Sequence, residues 1–117
     1  MTANPLTALT GRRADVMRDP DVERVARRIM REAVEVGRAA GAALTDAHVD
    51  RAVHWLQHVP EGSTTSMRED RLAGRPLEYD ALTGAVVRAA EHHGIDVPAN
   101  RFVLALLSAI EQEGRAA

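Results

Sequence analysis

The sequence predicts an all-α fold, a single helical domain of about five helices. Apolar residues recur at spacings of three and four in several segments, which is the period of an amphipathic helix. No segment shows the strict alternation of apolar and polar residues that a half-buried strand would show. Gly and Pro fall mainly between the periodic segments, where they would end one helix before the next begins. At 117 residues, one domain is the expected organisation.

Two helices are predicted in the first part of the chain. Residues 4–9 fit a short helix that Gly11 would terminate. Asp19 followed by Pro20 is a strong start for the second helix, because Asp favours the N-cap and Pro favours the first helical position. Gly41 is a natural end for it. Its predicted inner face consists of Val22, Val25, Ala26, Ile29, Ala33, Val36 and Ala40, and its outer face of Asp21, Arg24, Arg28, Glu32 and Glu35.

Two further helices are predicted in the middle of the chain. Thr45 would cap a helix that runs to about Val59, just before a proline. Residues 61–65 have the composition of a loop, and 66–72 fit a short helix. From local sequence alone, Ser66 is best explained as the N-cap of that short helix. The inner residues predicted for the longer helix are Val49, Ala52, Val53 and Leu56.

Two long helices complete the prediction. Residues 77–93 follow a Gly-Arg-Pro turn, and a connection at 94–98 separates them from a last helix capped by Asn100. Gly84 inside the first of these helices costs about 1 kcal/mol relative to Ala. Tight helix packing explains it as well as room for a ligand or another chain. The predicted buried residues are Leu82, Val86, Ala89, Ala90, Val103, Leu106, Leu107 and Ile110.

Composition narrows the classes of function. The net charge of −2 is too near neutral to favour non-specific binding of nucleic acid or of an anionic membrane. The sequence has no apolar run long enough to cross a bilayer and no signal-peptide pattern, so a cytoplasmic location is expected. All 15 basic residues are arginine, and there is no cysteine. Because arginine keeps its proton near neutral pH, lysine-type acid catalysis is excluded for this chain alone, as is thiol chemistry.

The candidate site is a charged cluster at residues 66–80. A hydroxyl, four carboxylates and three arginines surround the Gly-Arg-Pro turn there. Ser66 lies at a predicted helix start, where free backbone N–H groups favour an anion, and Asp70 follows one turn later. Glu78 begins the next predicted helix, where a carboxylate is favourable in any case. Taken alone, these residues fit a solvated helix terminus better than a site.

A histidine pair is a second candidate. His54 and His58 are four residues apart on a predicted helix and share a face, a spacing that can bind zinc. No third ligand is evident, and Trp55 lies between them, so a structural or solvated role is favoured over a metal-dependent enzyme. The arginine series Arg24, Arg27, Arg28 and Arg31 interleaves with Glu23, Glu32 and Glu35, and this mixed charge is typical of a solvated face rather than a nucleic-acid footprint.

Five motifs occur in a consistent order along the chain. They are N-P-L-T-A-L-T-G at 4–11, S-M-x-x-D at 66–70, R-P-x-E-x-D at 75–80, G-x-V-V-R at 84–88 and G-I-x-x-P-x-N at 94–100. Together they resemble the C-terminal domain of the ketopantoate reductase (2-dehydropantoate 2-reductase) family, whose fold is like the C-terminal domain of 6-phosphogluconate dehydrogenase. The resemblance covers nearly the whole chain and implies an all-helical domain.

The resemblance also implies roles for individual residues. In the family, an N-terminal Rossmann domain binds NADPH and the helical domain closes over ketopantoate. Hydride passes to the ketone carbon while a lysine supplies the proton, which gives pantoate for vitamin B5 and coenzyme A synthesis. By position, Asn4 and Ser66 would contact the substrate, and Asp70 would support them. Glu78 would lie at the cofactor and active-site cleft.

The chain departs from the family pattern at several points. It contains no G-x-G-x-x-G fingerprint and no lysine. Residues 12–14 are Arg-Arg-Ala where an asparagine is expected, and Thr83 replaces the asparagine often found before Gly84. We therefore expect residues 1–117 to be the substrate-binding and dimerisation half of an NADPH-dependent reductase, inactive alone and not binding NADPH alone.

The expected partners follow from the same resemblance. They are a ketopantoate-like 2-keto acid, a chain that carries a Rossmann domain, and a second copy of this chain. The alternative is a non-catalytic helical module that serves self-association, because loss of a Rossmann domain would uncover apolar surface. Which 2-keto acid is bound stays open at this point.

Overall fold

A computed structural model of the protein describes residues 2–116, with side chains as far as residue 112. The α-helices are α1 (Ala3–Thr10), α2 (Pro20–Ala39), α3 (Asp46–Gln57), α4 (Ser66–Leu72), α5 (Ala85–His93) and α6 (Pro98–Ala116). A 3₁₀ helix at Ala14–Arg18 leads into α2, and a π-helical turn at Asp80–Gly84 leads into α5. No strand occurs within residues 2–116. The all-α prediction is confirmed.

Helix α2 begins as predicted and packs more widely than predicted. Asp19 accepts hydrogen bonds from the N–H groups of Asp21 and Val22, at 2.9 and 3.3 Å, and Pro20 is the first helical residue. Because α2 packs against α3 as well as α5 and α6, its buried arc is broader than one stripe. The buried apolar residues are Ala26, Ile29, Met30, Val34 and Val36, whereas Val25 and Ala40 are exposed.

Glu32 was predicted on the outer, solvated face of α2, and the structure shows that this is wrong. Its side chain is buried, with 4% of the residue exposed, and it binds the start of α6. Oε1 accepts from the backbone N–H and from Nδ2 of Asn100, at 2.9 and 2.8 Å. Oε2 accepts from the N–H of Ala99 at 3.0 Å and from Nε of Arg28 at 3.3 Å. Burial opposes ionisation of Glu32, but these donors outweigh it and lower the pKa of the carboxyl below its ordinary value.

The start of α6 therefore differs from the prediction. The helix begins at Pro98, and Asn100 is a buried residue of its first turn rather than an N-cap. The Nδ2 of Asn100 also donates to the carbonyl of Ile29 at 3.2 Å. The N–H groups that an N-cap would serve are served by Glu32 from α2, so α6 is capped across the domain interior.

The segment before α5 departs from the regular helix that was predicted there. The predicted helix at 77–93 begins instead with the π-helical turn, while Leu77 is buried ahead of it. A π turn holds one residue more than an α turn, so it rotates the residues that follow. As a result Val87 and Ala90 are buried, and three of the predicted inner residues, Leu82, Val86 and Ala89, are only partly buried.

Gly84 is buried beneath an ion pair of its own helix. Arg88 donates to a carboxylate oxygen of Asp80 at 2.7 Å and to the Asp80 carbonyl at 3.0 Å, across the space that a side chain at residue 84 would fill. A Cβ at Gly84 would lie 2.7 Å from that carboxylate oxygen and 3.1 Å from the arginine nitrogen. The atoms nearest to a Cβ at Gly84 therefore belong to side chains one turn away on either side of it in the chain.

The apolar interior joins every helix. The central cluster comprises Leu6, Ala8, Met17, Ala26, Ile29, Met67, Leu77, Val103 and Leu107. A second cluster lies between α2 and α3, and a third links α2, α5 and the start of α6. Two further predicted inner residues lie outside this interior, since Ala52 is exposed and Leu106 is 41% exposed. Among the described residues, no helix combines the length and apolarity needed to cross a bilayer.

Candidate binding cleft

Helices α1 and α4 pack against each other through two threonines. Thr7 is fully buried, and its Oγ1 lies 2.6 Å from Oγ1 of Thr65 and 2.7 Å from the carbonyl oxygen of Ala3. Thr65 in turn accepts from the N–H of Arg68 at 3.2 Å. Helix α4 has the predicted bounds, but its N-cap is Thr65, which has extended backbone angles, and Ser66 is the first helical residue.

Two arginines of α4 fasten it to the end of α1. Arg68 donates from Nε to the Gly11 carbonyl at 3.0 Å, and Arg71 donates to the carbonyls of Ala8 and Leu9. The last carbonyls of a helix lack partners within the helix and attract cations. Two of the three arginines in the predicted cluster thus hold α1 and α4 together.

Asn4 and Ser66 are brought together by this packing, although they are 62 positions apart in the sequence. The Ser66 hydroxyl donates to Oδ1 of Asn4 at 3.2 Å, and the N–H of Met67 donates to the same oxygen at 3.2 Å. The Met67 N–H requires an acceptor, so it fixes the orientation of the Asn4 amide. The amide nitrogen of Asn4 is consequently directed away from α4.

An open cleft of about 420 Å³ includes Asn4 and Ser66 in its lining. Residues 63–65 add further hydroxyl groups to the lining. The rest of the lining is apolar, and most of it comes from the end of α3 and the residues that follow it. Such a cleft can hydrogen-bond the polar groups of a small ligand and also cover its hydrocarbon part. The apolar lining consists of Ala3, Ala14, Trp55, Leu56, Val59 and Pro60.

Asp70 and Glu78 do not line this cleft. The Asp70 carboxylate accepts from Nε of Arg75 at 2.9 Å, and its carbonyl accepts the Arg75 N–H at 2.8 Å, which closes the turn after α4. Glu78 is an exposed turn residue ahead of the π-helical turn, not the first residue of a helix. Its side chain makes no hydrogen bond or ion pair with the described residues. The roles that the resemblance gives to both residues stay predictions.

Several residues of the cleft were not identified from the sequence. Ser63 and Thr65 lie in a segment that has only the composition of a loop, and no spacing relates Thr65 to Thr7. In the sequence, Trp55 stands out only as the residue between two histidines. The hydroxyl-rich run at 63–66, together with the motif at 4–11, is the one local signal that could have pointed to them.

The histidine pair lies on the outer side of α3. The rings of His54 and His58 stack with centroids 4.1 Å apart, and Nδ1 of His58 is 2.7 Å from the His54 carbonyl. Within the described part of the chain, no group of three or more metal-ligating side chains is arranged to hold an ion.

The sequence and the fold both match known proteins. Residues 1–111 match the family model described as Ketopantoate reductase PanE/ApbA C terminal. The chain is 41% identical over 107 residues to a 2-dehydropantoate 2-reductase of Caulobacter vibrioides, which covers 92% of this chain and 37% of that protein. It is 42% identical over 101 residues to the 2-dehydropantoate 2-reductase of Mycobacterium tuberculosis H37Rv, covering 86% and 34%. The chain thus spans about a third of the length of these curated relatives.

A solved structure shows the same arrangement of helices. The dimeric ketopantoate reductase from Staphylococcus aureus superposes with a TM-score of 0.91 at 28% identity, over 96% of this chain and 39% of that one. A family model that spans most of the chain, two relatives above 40% identity and this shared fold agree with one another. The chain belongs to the ketopantoate reductase family and corresponds to its C-terminal domain.

Proposed function

We propose that this chain is the substrate-binding half of an NADPH-dependent 2-dehydropantoate 2-reductase, which reduces ketopantoate to pantoate, and that it is inactive alone. The observation that carries the proposal is the Asn4–Ser66 pair in the lining of the cleft. Both residues lie in the motifs of a family whose relatives are named for this reaction. A cytoplasmic location is part of the proposal, as suits a soluble metabolite.

The free hydrogen-bonding capacity of the pair fits such a substrate. Oδ1 of Asn4 is engaged by Ser66 and Met67, so its amide nitrogen is available to donate to a carboxylate or keto oxygen. The Ser66 oxygen can still accept a hydrogen bond from a substrate hydroxyl. Ketopantoate carries a carboxylate, a keto group, a hydroxyl and two methyl groups. The apolar residues that line the cleft would cover the methyl groups.

The reductive half of the reaction requires groups from elsewhere. NADPH supplies a hydride, and the ketone oxygen needs a proton donor; the chain has no lysine, and its arginines do not release a proton near neutral pH. A single exposed carboxylate, Glu78, does not form a nucleotide site, and the sequence has no glycine-rich phosphate loop. These residues do not fit NADPH by themselves. We infer a Rossmann-domain partner, to which Glu78 would present its carboxylate.

Two measurements on the purified chain test this function. With ketopantoate and NADPH, we expect no loss of NADPH absorbance, and turnover would show that the chain is not inactive alone. Ketopantoate alone should shift the amide resonances of Asn4 and Ser66 in NMR spectra. Ser66→Ala should weaken binding about 2–12-fold, since one hydrogen bond contributes about 0.5–1.5 kcal/mol.

Ser108→Ala provides the matched control, because Ser108 is on α6 and does not line the cleft. Its affinity for ketopantoate should equal that of the unmodified chain. An absence of shifts at millimolar ketopantoate would count against a substrate-binding role.

We also infer that the chain forms a homodimer. The Staphylococcus aureus relative is described as dimeric, and α6 exposes two large apolar side chains one turn apart, Phe102 at 67% and Leu106 at 41%. Contiguous exposed apolar residues of this kind favour association. Sedimentation should show a mass that rises with concentration, and Phe102→Asp should lower the dimer fraction. A monomer at every concentration would contradict this inference.

A further inference from the structure

The outer side of α3 carries two histidines that the proposed reduction does not use. His54 lies in the last turn of α3, and His58 is the C-cap residue that follows the helix. Both are exposed, and the centroids of their rings lie 4.1 Å apart. With Trp55, the two rings border an open depression in the surface. Two imidazoles held this close at an accessible position can act as ligands of one metal ion.

A hydrogen bond fixes which nitrogen of His58 can bind an ion. Nδ1 of His58 lies 2.7 Å from the carbonyl oxygen of His54, which can only accept, so Nδ1 carries the proton. In the neutral ring, Nε2 is then the nitrogen with a free lone pair. Metal-binding histidines commonly have this arrangement, in which the other nitrogen donates to a carbonyl or carboxylate and orients the ring. The side chain of His54 makes no hydrogen bond with the described residues.

The separation of the two rings suits a chelate. An ion bound to two nitrogens at about 2.0–2.1 Å and a tetrahedral angle holds those nitrogens about 3.3 Å apart. Rings with centroids 4.1 Å apart and planes inclined by 30° reach this separation by a small rotation of His54. Because the His54 side chain is exposed and makes no hydrogen bond with the described residues, the rotation breaks none.

The other three histidines lack this combination, and the structure describes all five. Nδ1 of His48 accepts a backbone N–H at 3.0 Å at the start of α3, and no histidine lies one turn away from it. His92 and His93 are adjacent on α5, where successive side chains project about 100° apart. Their rings are inclined by 85°. A shared helix face and a free, oriented nitrogen therefore coincide at His54 and His58.

The charged residues beside the pair limit the site to two protein ligands. Asp50 and Arg51 line the same depression. The Asp50 carboxylate accepts from Nη1 of Arg27 at 2.6 Å, so we assign it no ligand role. No group of three metal-ligating side chains occurs among the residues whose structure is described. The positive charge of Arg51 weakens the binding of a cation, but solvent and salt screen it at this exposed position.

We propose that His54 and His58 chelate one divalent transition-metal ion at the end of α3, with water in its remaining coordination positions. Imidazole suits Cu²⁺, Ni²⁺ and Zn²⁺, whereas Mg²⁺ and Ca²⁺ prefer oxygen ligands. The affinity should be highest for Cu²⁺. An ion bound across one turn stabilises the end of α3 and hence the folded state. Neither histidine lines the cleft that contains Asn4 and Ser66, so the proposal does not depend on the reaction.

A copper titration of the intact, untagged chain tests the proposal. Trp55 is the single tryptophan and borders the same depression as the two histidines, so bound Cu²⁺ should quench its fluorescence. We expect quenching that saturates at one ion per chain and is reversed by excess Zn²⁺ but not by millimolar Mg²⁺. Saturation at one ion per two chains would place the ion between copies and overturn the proposal. So would quenching that does not saturate.

His54→Ala and His58→Ala each remove one ligand and should raise the Kd for Cu²⁺ about 100-fold or more, because the second ligand of a chelate acts at a high effective concentration. His92→Ala and His93→Ala are the matched controls, since they remove exposed imidazoles that do not share a face, and they should leave the Kd unchanged. Zn²⁺ should raise the Tm of the unmodified chain and of both controls, but not that of His54→Ala. An equal Kd in the ligand variants and the controls, or an unchanged Tm of the unmodified chain, would overturn the proposal.

Discussion

The buried carboxylate of Glu32 caps a helix that begins 66 positions later in the chain, at Pro98. The sequence could not indicate this. Glu32 lies among arginines and glutamates, in the pattern of a solvated helix face, and its partner Asn100 fits a conventional N-cap. Only the packing of α2 against α6 brings the two together.

Glu32→Gln should destabilise the protein by about 1–3 kcal/mol. Glutamine keeps one acceptor oxygen but turns an NH₂ group toward donors, so at least one of Ala99, Asn100 and Arg28 loses its acceptor. Urea denaturation at neutral pH measures the effect. Glu35→Gln on the exposed side of α2 is the control and should change stability by less than about 0.5 kcal/mol. Equal effects of the two substitutions would disprove a capping role.

The same carboxylate predicts a sensitivity to acid. Its pKa is lowered in the folded protein relative to its ordinary value of 4.5, so below that pH the unfolded chain binds the proton more readily. The contribution of Glu32 is complete above pH 4.5 and declines as the pH falls toward and through the lowered pKa. The stability gap between the unmodified protein and Glu32→Gln should therefore narrow on acidification, as denaturation at a series of pH values would show. A constant gap would contradict the lowered pKa.

At the scale of the elements, sequence predicted regular helices well and irregular ones poorly. The bounds of α4 and the start of α2 agree with prediction, because N-cap residues and breaks mark them. The 3₁₀ helix at Ala14–Arg18 was not predicted, since five residues are too few for a periodic pattern. The π-helical turn has no sequence marker of its own, and it displaced the buried face of α5 by about one residue.

Gly37 and Gly84, which both lie within helical segments, should respond differently to substitution. Gly84→Ala should change stability by at most about 1 kcal/mol, because the added Cβ displaces only an exposed ion pair while Ala is the better helix former. In Gly37→Ala the Cβ would lie 2.7 Å from Cδ1 of Leu44, which packs on the cluster between α2 and α3. Overpacking costs about 1–3 kcal/mol, so this variant should be the less stable. Thermal unfolding ranks them, and the reverse order would refute the packing assignment.

At the scale of the whole molecule, one apolar cluster unites α1, α2, α4 and α6. Leu107 is fully buried in it, so Leu107→Ala should cost about 2–5 kcal/mol. Leu106 is the adjacent residue and 41% exposed, so Leu106→Ala should cost less than about 1 kcal/mol. Chemical denaturation of both variants checks the contrast, at a protein concentration where sedimentation shows a monomer, because Leu106 is also part of the inferred dimer surface. Similar losses of stability in the two variants would mean that Leu106 and Leu107 are both buried in α6, as the sequence predicted, and would contradict the buried face seen in the structure.

Only some residues of the candidate cleft could be predicted from the sequence. The motifs indicated Asn4 and Ser66, and the structure places them in contact. Periodicity could not reveal Trp55 or Ser63 as lining residues, because their place depends on how α3 and the following loop lie against α1. Asp70 and Glu78 belong to the same motifs, yet they lie outside the cleft.

The contact between Asn4 and Ser66 has a consequence for the order of folding. It closes a loop of 62 residues, which lowers the conformational entropy of the chain. The contacts of the two α4 arginines with the carbonyls at the end of α1 form only once this loop is closed, so they cannot offset the entropic cost beforehand. Helices α2 and α3, which are neighbours in the chain, can pair first. We therefore expect the cleft to be among the last parts of the molecule to form during refolding, and its amides to gain protection from hydrogen exchange later than those of α2 and α3.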